Sequence, residues 1–527
     1  MSRWLWATAG GVAIVAITVL QTYRLGDSPA YLNLDEAHFA NHAYSLATSG
    51  RDLNGNRLPL FVSLEDPLGD QPTLAWGTTW YHPVGFYAIA SVLTLAPLSE
   101  WSIRLPIALI GVLNLVLIYL VARKWSGSRT TALAAAGLLA MTPAHFILSR
   151  MALDYLLPVP FTLGWLLALG HLRALPTSRA SVAAGLVLGV GCFSYVSSWL
   201  VMPVYLAVTA AVLWKELRRF DLIAPLAIAF CVPLLAWVPW IVLHPEMPGN
   251  LLAQYQAGET RRSLLSAVAT GIDIPGALKT TVAAYWSYFD PSFLFVAGGS
   301  SRLVSTGAIG VWPMGVGALL AMALIRAINR PLGVAERVLL AGLLLAPIPA
   351  ALKGEPFAIQ RAITMLPFGV LLAVLALDGV SRRTRLQQAL LVIALVAVPV
   401  QFTGFIDDYF SGYRVRAAAV IDPTAFRDAA RVLSDLTERR QPPALAVMAP
   451  LYDASAKWRF YATSSGHPEW LARTRYFSGR LDEIAALPTG ALAVVESATL
   501  TSHAGWQVVA SPMSLFGQSP LTILEKQ

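Results

Sequence analysis

Residues 31–70 read YLNLDEAHFANHAYSLATSGRDLNGNRLPLFVSLEDPLGD, and how this stretch is read decides the fold. It is polar, acidic and irregular, yet it follows directly on an apolar run at 4–23. At its head stand Asp35 and Glu36, with His38 just beyond. Tyr31, Phe39 and Tyr44 surround the pair, and an apolar helical pattern follows it. Charge in a solvated loop normally sits among other polar groups. An acidic pair set among aromatics beside a membrane anchor is partly desolvated, which suits a carboxylate to act as a general base.

The rest of the chain supplies the membrane. Of 527 residues, 56% are hydrophobic and only 13% are charged, and the mean hydropathy is +0.59. Soluble chains carry about 25% charged residues, so lipid solvates much of this surface. The net charge of +8 does not point to nucleic acid, because the basic residues gather in short loops between apolar runs, as membrane topology requires. Cys192 and Cys231 lie inside apolar runs and read as packing residues rather than a disulfide or metal pair. The run at 4–23 is long, and no small-x-small cleavage site follows it, so it is expected to be an uncleaved anchor.

A spanning helix needs about 20 mostly apolar residues. Runs at 4–23, 105–122, 131–148, 153–170, 180–198, 199–214, 222–243, 306–325, 338–352, 362–377 and 387–402 qualify. The run at 82–97 is short, bounded by prolines and rich in aromatics. Charge decides its place. Basic loops at 123–129, 171–179, 215–219, 326–337 and 382–385 all fall on the cytoplasmic side only if 82–97 does not cross. It is therefore read as a juxtamembrane or re-entrant helix. The expected architecture is an all-α polytopic membrane protein of about eleven spans, amino terminus inside, with the loop 24–103 outside. That loop holds eight acids (Asp27, Asp35, Glu36, Asp52, Glu65, Asp66, Asp70 and Glu100) against Arg24, Arg51 and Arg57 in the stretch before residue 101. After residue 403 the apolar runs shorten. Helical spacing at 424–436 and 481–487, with strand-like runs at 444–448, 491–495 and 507–510, predicts a small extracytoplasmic α/β domain over 404–527.

Further polar residues fall on the same outer face. His82 opens the juxtamembrane helix, Arg104 precedes the run 105–122, and Arg150 and Asp154 share a short outer turn, where they read equally as a helix-end ion pair or as the border of a site. The loop 353–361, KGEPFAIQR, puts two cations outside, against the positive-inside bias. A guanidinium matches a phosphate in two-pronged geometry, so Arg361 is the candidate for a lipid phosphate. Residues 285–302, YWSYFDPSFLFVAGGSSR, end on Arg302, which an interfacial aromatic belt leaves unexplained. There is no Walker motif, dinucleotide-binding glycine fingerprint, HExxH, GxSxG or Cys/His cluster. Nucleotide-driven, dehydrogenase and zinc-protease chemistry are unsupported, and neither cofactor nor metal is expected. Nucleotide sugars are cytoplasmic, so a sugar transfer on the outer face takes a donor already carried across on a lipid.

Several motifs, in this order, resemble those of GT-C fold membrane glycosyltransferases of the protein O-mannosyltransferase-like group. This is glycosyltransferase family 39 with its bacterial relatives, which include the lipid A aminoarabinose transferase and lipopolysaccharide-core galacturonosyltransferases. Asp35-Glu36 resembles the family's DE pair at the head of the first outer loop. Tyr81-His82-Pro83-Val84 resembles a His/Lys-Pro-Pro-Leu segment, departing at its end. Glu100-Trp-Ser-Ile-Arg104-Leu-Pro106, followed by Gly111, resembles E-W-x-x-R-L-P…G. The stretch from Tyr288 through Asp290-Pro291 resembles Y-F-S-P-D-F-L-F, and Arg361 with Leu366-Pro367 resembles a late R…LP segment. The resemblance implies inverting transfer of a sugar from a polyprenyl-phosphate donor to an acceptor hydroxyl on glycan, lipid or protein, at the outer face of the inner membrane. Asp35 would be the general base, supported by Glu36. Arg361, Arg104 and Arg302 would bind the donor phosphate. His38, His82, Arg150, Asp154 and Tyr288 would bind acceptor or sugar.

Two other readings compete. A polytopic lipid or polysaccharide flippase would line a path with intramembrane charge, but the polar residues here gather at one face. A non-catalytic envelope scaffold leaves the Asp35-Glu36 pair unexplained.

Overall fold

The computed structural model describes residues 3–63, 79–256, 264–299, 301–328, 331–375, 377, 384–449, 454–499 and 505–527. Glu65, Asp66 and Asp70 of the acidic loop, and Arg382 of one basic loop, lie outside the described residues.

Helix α1 (Arg3–Thr22) leads to α2 (Leu34–Ser49), which carries the acidic pair. The start of α2 is fixed by a reciprocal cap. The Asn33 side chain accepts the Asp35 N–H, and the Glu36 carboxylate accepts the Asn33 N–H. Gly50, at φ 69°, ends the helix in the left-handed conformation that glycine adopts without strain. Strands β1 (Val62–Ser63) and β2 (Trp80–Tyr81) then pair antiparallel. Helix α3 (Pro83–Leu93) has 11 residues. At 1.5 Å per residue it is about 16 Å long, too short for a hydrocarbon core of about 30 Å. It packs against α2 and α4 (Glu100–Ser126).

The bundle continues through α5 (Arg129–Ala140), α6 (Pro143–Leu148), α7 (Pro158–Ala174), α8 (Ser178–Gly191), α9 (Ser198–Ala211), α10 (Ile223–Leu234), α11 (Trp237–Leu243), α12 (Met247–Gln256), α13 (Leu264–Thr270), α14 (Ile274–Ser287), α15 (Pro291–Phe295), α16 (Met314–Ile328), α17 (Val334–Leu345), α18 (Ile348–Lys353), α19 (Met365–Leu375) and α20 (Arg385–Phe410). Among the described residues, 6 helical stretches are long and apolar enough to cross a membrane: Glu100–Ser126, Asp154–Ala174, Ser198–Glu216, Phe220–Leu243, Val334–Lys353 and Arg385–Phe410. The run 131–148 is not one helix. It breaks at Thr142–Pro143 into α5 and α6, because proline has no N–H to continue the ladder. The runs containing α8, α16 and α19 form shorter apolar helices. Ile228, Val232, Leu235, Val238 and Val242 stay exposed along α10 and α11, a face that suits lipid rather than water. Cys231, expected to pack inside, is exposed on α10, while Cys192 is buried.

Tight contacts organise the bundle. A Cβ on Gly185 of α8 would lie 2.3 Å from the Leu226 carbonyl oxygen, and one on Gly189 would lie 2.3 Å from that of Phe230. These two glycines, four apart, let α8 and α10 approach backbone to backbone, the small-xxx-small device of membrane helices. Trp165 stacks on Tyr205 at 4.4 Å between centroids and donates its indole N–H to Thr209 Oγ1 at 2.7 Å.

Helix α20 continues past residue 403 to Phe410 without a break. Beyond it come α21 (Gly412–Ile421), α22 (Phe426–Arg440), β3 (Leu445–Met448), α23 (Ala454–Ser464), β4 (Thr474–Phe477), β5 (Leu492–Glu496), β6 (Trp506–Ala510) and β7 (Leu521–Lys526). The sheet order is β4-β3-β5-β7-β6. β3 is parallel to both β4 and β5, and β7 is antiparallel to both β5 and β6. Strands β3 and β5 are buried almost throughout, as the inner strands of a covered sheet should be. The hydrophobic core of this α/β unit is continuous with Phe39 and Leu46 of α2 and with Phe86 and Ile89 of α3. Helices α2 and α3 and the carboxyl-terminal unit thus share one core.

Candidate active site

Asp35 and Glu36 are neighbours on α2 but belong to different networks. Glu36 is wholly buried against Arg104, with Arg104 Nε to Glu36 Oε1 at 2.8 Å and Nη2 to Oε2 at 3.0 Å. The Ala152 N–H also donates to Glu36 Oε1 at 2.8 Å. The remaining Arg104 hydrogens go to the carbonyls of Leu25, Pro29 and Tyr31. Every oxygen and nitrogen of this pair is engaged by protein, which is what a buried ion pair needs to repay its desolvation. Arg104 and Glu36 therefore clamp the turn before α2 onto α4. This geometry leaves Arg104 no hydrogen to offer a donor phosphate.

Asp35 points the other way. The Tyr81 hydroxyl donates to Asp35 Oδ1 at 2.5 Å. Burial and then the Asp35 charge push the Tyr81 phenol well above its ordinary range, so it stays a donor. Asp154, buried at the start of its helix, feels the charges of both Asp35 and Arg361, and so does Tyr155 beside it. These two residues bridge the acidic side of the cluster to a basic side. There, Arg361 Nη1 donates to the Tyr195 hydroxyl at 3.2 Å, and Tyr195 packs edge-on against Tyr155 at 5.6 Å between centroids. Arg361 Nε pairs with Glu355, and Lys353 Nζ reaches Glu355 Oε1 at 3.1 Å. Burial opposes ionisation of Glu355, but Arg361 and Lys353 outweigh it and hold the carboxyl below its ordinary range. Two cations thus share one carboxylate, all three partly buried.

Tyr288 braces this basic loop. Its hydroxyl donates to the Glu355 carbonyl at 2.6 Å and accepts the Ala358 N–H at 3.2 Å. The structure therefore brings together Asp35, Asp154, Arg361 and Tyr288. It adds Tyr81, Tyr155, Tyr195, Lys353 and Glu355, which the sequence reading did not single out. Lys353 and Glu355 lay in a loop already marked as basic. Tyr81 lay in a motif already quoted. Tyr195 had no signal, since an aromatic near the end of an apolar run reads as belt or core.

The other expected residues sit elsewhere. Arg150 is fully buried and spends its guanidinium on the carbonyls of Leu20, Gln21, Tyr23 and Ser28 and on the Tyr409 hydroxyl. It fastens the end of α1 to α20 and does not pair with Asp154. Arg302 bonds the carbonyl of Thr306 in its own turn. His38 lies buried in α2. His82 is buried against Phe61 and Trp199 rather than against Asp35. Among the described residues, no three His, Cys, Asp or Glu side chains come together as metal ligands.

Asp35, Glu100, Asp154 and Lys353 mark one end of their helices, while Arg123, Lys124, Arg173 and Arg326 close the other ends of α4, α7 and α16. A helical membrane bundle with an acid–base cluster at one end, roofed by an α/β unit, is the architecture of the GT-C fold. Residues 75–240 match the model of the dolichyl-phosphate-mannose-protein mannosyltransferase family. That segment contains Tyr81, Arg104 and Asp154 but not Asp35 or Arg361. The solved structure of ArnT from Cupriavidus metallidurans in the apo state superposes with a TM-score of 0.56 at 16% identity, over 98% of each chain. The same protein bound to undecaprenyl phosphate gives a TM-score of 0.55, again at 16% identity and 98% of each chain. The Archaeoglobus fulgidus oligosaccharyltransferase in complex with Zn and sulfate aligns at a TM-score of 0.49 and 16% identity, over 86% of this chain and 61% of that one. No curated protein matches the sequence. The fold is GT-C, shared with ArnT over nearly the whole chain.

Proposed function

We propose that this protein transfers a sugar from a polyprenyl-phosphate carrier to an acceptor hydroxyl, with inversion, at the outer face of a bacterial inner membrane. The observation that carries this reading is the juxtaposition of Asp35 and Asp154 with Lys353 and Arg361, linked through Tyr155. Such a site pairs a proton acceptor with a phosphate anchor. The family match and the likeness to a protein solved with undecaprenyl phosphate support it.

In the step proposed, Asp35 takes the proton of the acceptor hydroxyl as that oxygen attacks the anomeric carbon. The bond from that carbon to the carrier phosphate breaks, and its electron pair leaves on the phosphate oxygen. Attack from the face opposite the leaving group inverts the centre. Arg361 and Lys353 stabilise the charge that develops on the phosphate, exchanging part of their contact with Glu355 for it. Tyr81 holds one Asp35 oxygen and so orients the carboxylate. Arg104 and Glu36 position α2 and touch no substrate.

The outer-face orientation rests on charge. The basic loops at the far ends of the helices suit the cytoplasm, and a lipid-borne donor suits a site remote from nucleotide sugars. The test compares envelope glycolipid and glycoprotein masses in cells lacking the protein, complemented with wild type, Asp35→Asn or Asp35→Glu. Asp35→Asn is expected to lower transfer by about 10²–10⁴-fold, the usual worth of a general base. Full restoration of the missing sugar by Asp35→Asn sinks the assignment.

A further inference from the structure

The seam between the membrane bundle and the α/β unit opens into a polar cleft of about 730 Å³. One wall is the last turn of α1 with the turn that follows it, residues 22–27, and the start of α4, residues 98–101. The other wall is α22, through Arg431, Asp435 and Glu438, and the end of α23. The volume is that of a ligand pocket and far exceeds the roughly 30 Å³ that one bridging water occupies. None of Asp35, Asp154, Lys353 and Arg361 lines it. Its link to the catalytic cluster is indirect: Arg104 Nη1 holds the carbonyl of Leu25, a cleft residue, at 3.1 Å.

The cleft opens at the level where a bilayer ends. Helix α4 is long and apolar enough to span, and the cleft takes in its first turn. Leu95, just before that turn, is 90% exposed, and Trp101, within it, is 43% exposed. On α1, Val19 and Val15 share a face with Thr22 at helical spacing, and both are exposed. Exposed apolar side chains on membrane helices meet acyl chains. The cleft therefore stands where a headgroup sits above its own chains.

Its charges are under-used by the protein. Among the described residues, the side chains of Arg24, Asp27 and Arg431 have no hydrogen bond or ion pair. Arg414 Nε takes the Asp27 carbonyl, not its carboxylate. Asp435, one turn from Arg431, turns instead to Arg439 at 2.7 Å in an exposed pair, a contact of little worth. The Glu438 carboxylate meets His467 at 3.4 Å. Glu100, by contrast, is satisfied by Arg427 and Tyr461. The cleft thus offers two guanidinium groups beside three carboxylates.

This mixture narrows the occupant. A net-anionic headgroup would meet more carboxylates than guanidinium groups. A choline headgroup has no N–H to give a carboxylate. A headgroup with one phosphate and one primary ammonium answers both signs. Guanidinium groups take a phosphate in two-pronged geometry, and an ammonium brings three donors.

We propose that the cleft binds one zwitterionic phospholipid, phosphatidylethanolamine. Its phosphate lies between Arg24 and Arg431, its ammonium faces Asp27, Asp435 and Glu438, and its acyl chains run along α1. The site lies apart from the transfer chemistry and does not rest on the transferase reading. Bound there, the lipid joins residues 22–27 to α22 and so steadies the seat of Arg104.

The test uses the full-length protein in detergent. It is titrated with phosphatidylethanolamine, phosphatidylcholine and phosphatidylglycerol of identical acyl chains, and binding is read by native mass spectrometry and thermal unfolding. One copy of phosphatidylethanolamine is expected to bind about tenfold more tightly than either other lipid, and to raise the thermal midpoint. Arg24→Gln and Arg431→Gln should each weaken that copy about tenfold, the worth of one charge-assisted hydrogen bond. Their lipid-free midpoints should match wild type, because both side chains are exposed. Asp27→Asn combined with Glu438→Gln should erase the preference over phosphatidylcholine, and Arg361→Ala should change nothing. Equal binding of all three lipids marks an unselective annular surface and overturns the site. A preference for phosphatidylglycerol also overturns it, since the guanidinium groups would then act alone. Wild-type affinity in both arginine variants, or loss of binding in Arg361→Ala, places the headgroup elsewhere and defeats the proposal.

Discussion

At the scale of the residue, adjacency in sequence and proximity in function part company. Glu36 and Arg104 form a closed, fully satisfied pair, whereas Asp35 opens onto Tyr81 and the cluster around Arg361. Removing either partner of the closed pair strands a buried charge. Arg104→Ala is therefore expected to cost about 3–5 kcal/mol of stability, read as a lowered unfolding midpoint in detergent. Titration gives a second prediction. Burial lowers the His82 pKa from 6.5 to about 3, so the folded protein refuses a proton that the unfolded chain accepts. The stability at stake is complete above the unfolded value and erodes as pH falls from there toward the folded one. His82→Leu should flatten the fall in thermal midpoint between pH values of about 7 and 4. His42, also held at about 3 by burial, should preserve part of that slope. A variant whose profile superposes on wild type would remove His82 from the account.

At the scale of the element, helix packing carries the geometry. Gly185 and Gly189 let the α8 backbone meet α10, and the chain that leaves α8 delivers Phe193 to the aromatic cluster around Phe61 and Tyr195 to Arg361. Gly189→Leu forces the helices apart. Overpacking of this kind is expected to destabilise by about 1–3 kcal/mol, and transfer should fall with it as Tyr195 loses its register. Thermal unfolding and the glycolipid mass assay read the two effects. Strand β2 does comparable work with two residues, since its alternation sends Tyr81 to Asp35 and Trp80 to the packed rings around Phe61.

At the scale of the whole molecule, the α/β unit is a structural roof for α2. The Tyr31 hydroxyl reaches Asp428 Oδ2 at 2.5 Å, and the Asn41 side chain reaches the Ala456 carbonyl at 2.8 Å. Glu100, at the start of α4, takes hydrogen bonds from Arg427 and Tyr461. Inside the unit, Lys457 and Asp422 form a buried pair at 2.9 Å. Deleting residues 412–527 strips the cover from Phe39 and Leu46. The truncated protein is expected to insert in the membrane, lose sugar transfer and become sensitive to limited proteolysis along α2. Full activity in that truncation would mean that the roof is dispensable for placing Asp35.

Sequence alone determined what depends on local chemistry and on solvent. Apolar runs of spanning length meant lipid, and the order of short motifs pointed to the GT-C fold. The strands at Leu445–Met448, Leu492–Glu496 and Trp506–Ala510 were legible because each is a compact apolar run between turns. Thr474–Phe477, a half-polar edge strand, and Leu521–Lys526, which pairs across the sheet with β5 and β6, were not. Only the tertiary structure decided which charges are spent on protein and which face a site. Arg104, Arg150 and Arg361 look alike in sequence, each beside an apolar run. The first two are consumed by backbone carbonyls and a buried carboxylate, while the third shares one carboxylate with Lys353 next to Asp154. The physical reason is that a charge near a membrane surface is satisfied by partners tens to hundreds of residues away, and no local pattern records which they are. The same holds for the aromatic cluster around Phe61, which exists only once separate segments have packed together.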